Sequence, residues 1–242
     1  MRFNEESRAF EISVRELAED EGFRRVGFDR GDGWRRLGLG SQIHARVLGE
    51  RQNTYPAYRC EVHLEARIPV EDWTAVLTGR LDGCIEREPG HWLIEELKST
   101  NFSVDGVRPS GYAFERDRRQ LLGYCYLWKR LGHHRVAGAL VYVDIETGEE
   151  ISLQVPYDED TEREIERRLA RALAIWHAEK AARARKAKAA ERQSASQLKR
   201  DQVQFEIGGI SQSQVDDSRG RHEIDAARVR EPPTSVQPAC AR

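Results

Sequence analysis

The sequence predicts an α/β fold in which a mixed central sheet is flanked by helices. Three observations carry that prediction: period-two alternation over 61–70, a short apolar run over 136–143, and helical segments at 116–131 and beyond 158. The chain of 242 residues is long enough for one domain with a sizeable core and something left over.

Taken in order, Ser13-Val14-Arg15-Glu16 has the Ser-x-x-Glu form of a capping box and predicts a short helix ending near Gly22. Residues 23–40 are rich in Gly and Arg and read as an irregular connection. A second helix is expected from Ser41, carrying His44 and stopping before Thr54. From Glu61 to Val70, apolar Val62, Leu64, Ala66, Ile68 and Val70 alternate with polar residues, so one face of a strand is buried. Thr74–Leu81 reads as a second strand ending in a turn at Asp82-Gly83. Trp92–Lys98 reads as a third, after the turn-forming Glu88-Pro89-Gly90.

A helix from Arg116 to Leu131 is expected to stop at Gly132. Val136–Val143 and Glu150–Val155 are strands joined through Thr147-Gly148. Asp158-Glu159-Asp160 opens a long helix, where the macrodipole favours acidic groups. Ile165, Leu169, Leu173 and Trp176 give that helix one apolar stripe. Past Ala178 the stripe is replaced by Ala, Lys and Arg, and from Ser194 the composition is polar. Residues 1–193 therefore read as the folded domain and 194–242 as a weakly ordered, disordered tail.

Composition narrows the class. A net charge of -2 neither favours nor excludes a nucleic-acid partner, because recognition depends on local patches. Cys60, Cys84, Cys125 and Cys240 form no CxxC pair, which argues against a zinc ribbon, and the first three read as buried thiols. No apolar stretch approaches the length of a membrane span and the N-terminus lacks a signal peptide, so a cytoplasmic location is the default.

The chemistry concentrates in Gly79-Arg80-Leu81-Asp82-Gly83 and Ile94-Glu95-Glu96-Leu97-Lys98. On a strand Glu96 and Lys98 share a face, and Glu95 points the other way. With both faces covered, at least one Glu needs a cation to offset its desolvation, and a metal ion or a lysine would supply it. Phosphodiester hydrolysis needs hard oxygen ligands for Mg²⁺ or Mn²⁺, an aligned water and neutralised phosphate charge. An Asp at a strand end and a Glu on the adjoining strand can share one metal, with a lysine beside the cavity. Each half of this pattern alone is common in ordinary hairpins.

Together the residues resemble the RecB-like branch of the PD-(D/E)XK nuclease superfamily. That branch shows a histidine on a helix, then G-x-x-D, then E-x-K, then a helix with Q-x-x-x-Y. Here these are His44, Gly79 to Asp82, Glu96 to Lys98, and Gln120 to Tyr124, within a span of about residues 10–180. The resemblance implies a restriction-endonuclease-like core with the site at an opened sheet edge. It implies a Mg²⁺ or Mn²⁺ held by His44, Asp82, Glu96 and the carbonyl of Leu97, with Asp82, Glu96 and Lys98 catalytic. Gln120 and Tyr124 would support the site and contact DNA. The implied activity is hydrolysis of DNA from an end, in DNA repair or recombination.

Plainer roles stand beside these. His44 fits an ordinary amphipathic helix, Gln120 and Tyr124 a polar position and a core aromatic, and Glu95 rivals Glu96 for the metal. Arg116, Arg118 and Arg119 either meet a phosphate backbone or form a solvated helix face, and the basic run Lys180–Arg192 has the same two readings. The cysteine spacing does not match the iron–sulfur cluster of some RecB-like nucleases, so no cluster is expected. No G-x-x-x-x-G-K-[ST] phosphate loop occurs, so ATP-driven unwinding would come from a helicase partner or a missing downstream segment. The rival readings are a non-catalytic nucleic-acid-binding module or helicase-associated accessory domain, and a structural assembly domain.

Overall fold

The computed structural model describes residues 1–19, 33–100 and 110–230. It divides into two compact units, Met1–Ala170 and Arg171–Arg242. The first holds a seven-stranded mixed sheet with flanking helices.

The chain opens with β1 (Arg2–Asn4) and β2 (Ala9–Ser13), then α1 (Val14–Ala18) and α2 (Gly33–Thr54). Three strands follow, β3 (Arg59–Val70), β4 (Trp73–Glu88) and β5 (His91–Thr100), then α3 (Tyr112–Arg130), β6 (Arg135–Asp144), β7 (Glu150–Val155), α4 (Glu159–Glu206) and α5 (Gln212–Arg230). The sheet order is β1-β2-β4-β5-β6-β7, with β3 on the other edge of β4. β2 runs parallel to β4 and β5 parallel to β6; the other pairs are antiparallel. The parallel strand β6 is buried from Gly138 to Asp144 without alternation, because both faces of the sheet are covered there.

The capping box forms as the sequence predicts. Ser13 Oγ accepts the Glu16 N–H at 3.1 Å and Glu16 Oε2 accepts the Ser13 N–H at 3.0 Å. Gly132, at φ +100°, ends α3 with its N–H on the Lys129 carbonyl at 3.0 Å. Gly90, at φ +75°, makes the β4–β5 turn.

The structure corrects the sequence reading in four places. β1 and β2 were not foreseen. α2 begins at Gly33, inside the expected 23–40 connection, of which residues 23–32 lie outside the described residues. There is no turn at Asp82-Gly83, because β4 continues to Glu88 and Gly83 serves a packing need instead. Finally, residues 194–206 and 212–230 are helical, as the end of α4 and as α5. Ala, Lys, Arg, Gln and Glu sustain a helix with few apolar anchors, helped by pairs four apart such as Gln197 to Asp201 at 2.8 Å. Within this second unit Val215 and Ala226 are buried and Ser218 Oγ donates to Asp201. Residues 231–242 of the expected tail lie outside the described residues.

Candidate functional site

The site begins with a gap in strand pairing. One edge of β4 is shared between two partners: residues 74–78 pair with β2 and residues 83–86 and 88 with β5. Gly79, Arg80, Leu81 and Asp82 lie between and pair with neither on that edge. The G-x-x-D motif therefore occupies the place where the sheet opens. The last paired rung before it joins Gly83 to Glu95, so the next rung would set Asp82 opposite Glu96. Opposed residues of an antiparallel pair project from the same face. Instead of a backbone rung, Asp82 Oδ2 accepts the Leu97 N–H at 2.8 Å.

Glu96 is 2% exposed. Its Oε1 accepts from Lys98 Nζ at 2.8 Å, while its Oε2 is buried without a hydrogen-bond partner. Burial pushes the Glu96 carboxyl up to about 8; Lys98 opposes the shift, and the charges of Asp82 and Asp117 add to it. A carboxyl left this way is short of positive charge.

Lys98 also donates to Gln120 Oε1 at 3.0 Å, and Gln120 Nε2 donates to the Tyr124 hydroxyl at 3.3 Å. Both partners come from α3, where residues four apart share a face. Burial drives the Tyr124 phenol up to about 12. Its ring packs so close to Gly79 that a Cβ there would lie 2.6 Å from it, which explains the glycine of G-x-x-D without a turn. His44, on α2, brings Nδ1 to 4.0 Å from Asp82 Oδ2. Burial lowers its pKa, with Asp82 opposing and Lys98 adding, so the imidazole is biased toward the neutral form that binds metals.

Asp82, Glu96, Lys98, His44, Gln120, Tyr124 and the Leu97 amide are thus brought together. The Leu97 side chain itself is in the core beneath α2. Arg116 is turned onto Asp117 at 3.1 Å, and Arg119 Nε donates to the Glu115 carbonyl at 3.0 Å.

Glu95 faces the other side, as its position on the strand requires. The Tyr58 hydroxyl donates to Glu95 Oε2 at 2.7 Å and Arg51 Nε lies 3.6 Å from the same oxygen. Arg51 is held in turn by Glu150. A Cβ on Gly83 would fall 1.8 Å from the Tyr58 oxygen, so only glycine leaves room for this contact.

Asp117 went unmentioned in the sequence reading. It is 4% exposed, accepts from the Tyr142 hydroxyl at 3.2 Å, and lies 3.8 Å from Lys98 Nζ. Its signal was periodicity: Asp117, Gln120 and Tyr124 fall on one face of a helix.

The donor set can be tested against a divalent cation. Among the described residues, no three His, Cys, Asp or Glu side chains stand in a ready-made metal cage. Mg²⁺ does not require one, since it keeps several waters and takes one or two carboxylates. The orphaned Glu96 oxygen, with Asp82 opposite on the same face, fits that demand. For the thiols, Cys84 and Cys125 are buried and Cys60 is half-buried, while Cys240 lies outside the described residues.

No family model matches the chain. No curated protein matches it either. Among solved structures it is similar to the one described as "Crystal structure of SSO0001", at 20% sequence identity and a TM-score of 0.47, over 72% of this chain and 78% of that one. That likeness concerns the path of the backbone only. Among the described residues no helix is long and apolar enough to cross a membrane.

Proposed function

We propose that this chain is a divalent-metal-dependent deoxyribonuclease of the PD-(D/E)XK kind. The observation that carries the reading is the buried Glu96 Oε2 without a partner, across an opened sheet edge from Asp82 and beside Lys98. Burying a carboxylate oxygen unpaired is costly, so such an oxygen is better explained by a cation it is built to meet than by packing.

In this reading Asp82, Glu96, His44 and the Leu97 carbonyl would hold Mg²⁺ or Mn²⁺. When bound, the ion would supply Lewis-acid stabilisation of phosphate charge and a more acidic water. The residues of the chain do the rest. Glu96 and Asp82 would offer two carboxyl groups on one face of the sheet, and the ion would hold Glu96 in its ionised form. Lys98 would offer a hydrogen-bond donor that orients the attacking water and a positive charge to the phosphate oxygens, where charge grows in the transition state. Gln120 fixes the lysine, and Tyr124 fixes Gln120. Arg116 and Arg119 lie on the same helix and are candidates for phosphate contacts once their present partners are exchanged. Action from DNA ends, a place in repair or recombination, a helicase partner and a cytoplasmic location rest on the RecB-like resemblance or on composition.

A nuclease assay on end-labelled and circular DNA, with Mg²⁺, Mn²⁺ and EDTA, tests the reading. Metal-dependent loss of end-labelled substrate with circles spared is the expected result. Binding of DNA without cleavage under any of these conditions would favour the non-catalytic module.

A further inference from the structure

Lys98 donates to two acceptors and lies in ion-pair range of a third group, and the three do not have equal futures. Glu96 Oε1 (2.8 Å) comes from its own strand, whereas Gln120 Oε1 (3.0 Å) and Asp117 Oδ1 (3.8 Å) come from α3. A Glu96 carboxylate committed to a cation has less to offer the lysine, because the ammonium and the cation compete for the same charge. Neither of the two α3 groups is among the residues that would hold the cation. Asp117 is fixed independently: Tyr142, the residue beside Lys98 in the β5–β6 register, donates to Oδ2, and Arg116 Nη2 donates to Oδ1 at 3.1 Å. A carboxylate so deeply buried, braced by a tyrosine from the next strand and aimed at the lysine, has more holding it than helix packing requires.

We propose that Asp117 is a positioning residue. Together with Gln120 it cradles Lys98 from α3, so that the ammonium keeps its aim at the reacting phosphate when Glu96 is drawn away. The proposal rests on the nuclease reading for its purpose, but the cradle itself can be tested without cleavage.

The test is residue-resolved amine labelling of the full chain, read by peptide mass spectrometry, in the wild type, Asp117→Asn and Tyr142→Phe. Lys129, paired with Glu162, is the internal control. Asp117→Asn should speed labelling of Lys98 several-fold and leave Lys129 unchanged, with Tyr142→Phe giving a smaller rise. In parallel, Asp117→Asn should slow single-turnover DNA cleavage by about tenfold, as the ammonium loses part of its alignment at the transition state, while DNA affinity measured in Ca²⁺ is kept. In a Lys98→Ala background the same substitution should cost nothing further. Unchanged Lys98 labelling in both variants, or rate losses that multiply regardless of Lys98, would overturn the cradle. If Asp117→Asn does not fold, the Tyr142→Phe labelling decides. A wild-type protein that fails to cleave DNA would sink the nuclease reading alone, since the labelling comparison still judges Asp117.

Discussion

Glu95 and Glu96 are neighbours on one strand and almost equally buried, at 5% and 2% exposure, yet their surroundings differ. On the α2 side Glu95 is met by the Tyr58 hydroxyl and Arg51, and the arginine is anchored again by Glu150. On the α3 side Glu96 has one lysine, two further carboxylates nearby and an oxygen with no partner. The protein has satisfied one carboxylate and left the other open. Burial alone does not mark a site. The candidate is marked by burial that leaves Glu96 short of positive charge, where the pairing along β4 is interrupted.

The sharpest way to break this contrast is to exchange the fates of the two faces. Asp82→Ala or Glu96→Ala should abolish DNA cleavage in a protein that still folds and still binds DNA, because the ligands are lost while phosphate contacts persist. Lys98→Ala should lower the single-turnover rate by roughly 10²–10³ with little change in metal affinity, since the lysine acts at the transition state and not as a ligand. Wild-type turnover in any of the three, in a folded protein, would remove the site.

The α2 side should respond in stability instead. Gly83→Ala forces a methyl group against the Tyr58 oxygen and should cost about 1–3 kcal/mol of overpacking. Glu95→Ala strands the Tyr58 hydroxyl and half of Arg51's pairing, and should cost a similar amount, about 1–3 kcal/mol. Denaturant melts would show both losses. Cleavage per folded molecule, assayed below the melting transition, should stay near wild type.

Titration separates the faces more gently. The Glu96 carboxyl is raised from 4.5 to about 8 in the folded chain, so folding favours its neutral form. Its contribution is therefore complete below the unfolded value and is lost as pH rises through the folded one. Without metal, the melting temperature should fall between about pH 5 and about pH 8, and Glu96→Gln should flatten that decline. Added Mn²⁺ should oppose the decline in the wild type, because it binds the ionised carboxylate.

Much of the contrast was legible in the chain. Period two assigned Glu95 and Glu96 to opposite faces, and E-x-K put Lys98 with Glu96. The spacing of Gln120 and Tyr124 correctly set them on one helix face. What could not be read was register and non-local pairing. β2 alternates over only five residues, with Phe10 and Ile12 buried, and its partner lies more than sixty positions away in β4, so no local signal announces it. Without β2 the gap over 79–82 is invisible, and Asp82-Gly83 reads as a turn because Asp-Gly is a turn pair. Gly83 is in fact required by Tyr58, a contact between segments that composition cannot show. Asp117 was missed because a single Asp beside three arginines looks like a solvated helix face. The C-terminal helices were missed because polarity was taken as a sign of disorder, although the same residues have high helix propensity.

The smallest effect is expected in the second compact unit. A chain ending at Gln193 loses the last part of α4 and all of α5, both within the second compact unit. Its cleavage rate and the melting of the sheet should remain nearly those of the full chain. A fall of several degrees, on the order of losing ~1 kcal/mol, would show that the sheet depends on this segment.

The central claim is that Glu96, and not Glu95, receives the cation. Calorimetric titration of Mn²⁺ into the wild type, Glu96→Gln and Glu95→Gln tests it most directly. The account predicts saturable binding to the wild type and to Glu95→Gln, with binding lost or severely weakened in Glu96→Gln. Retained binding in a folded Glu96→Gln protein, or its loss in Glu95→Gln alone, would contradict it.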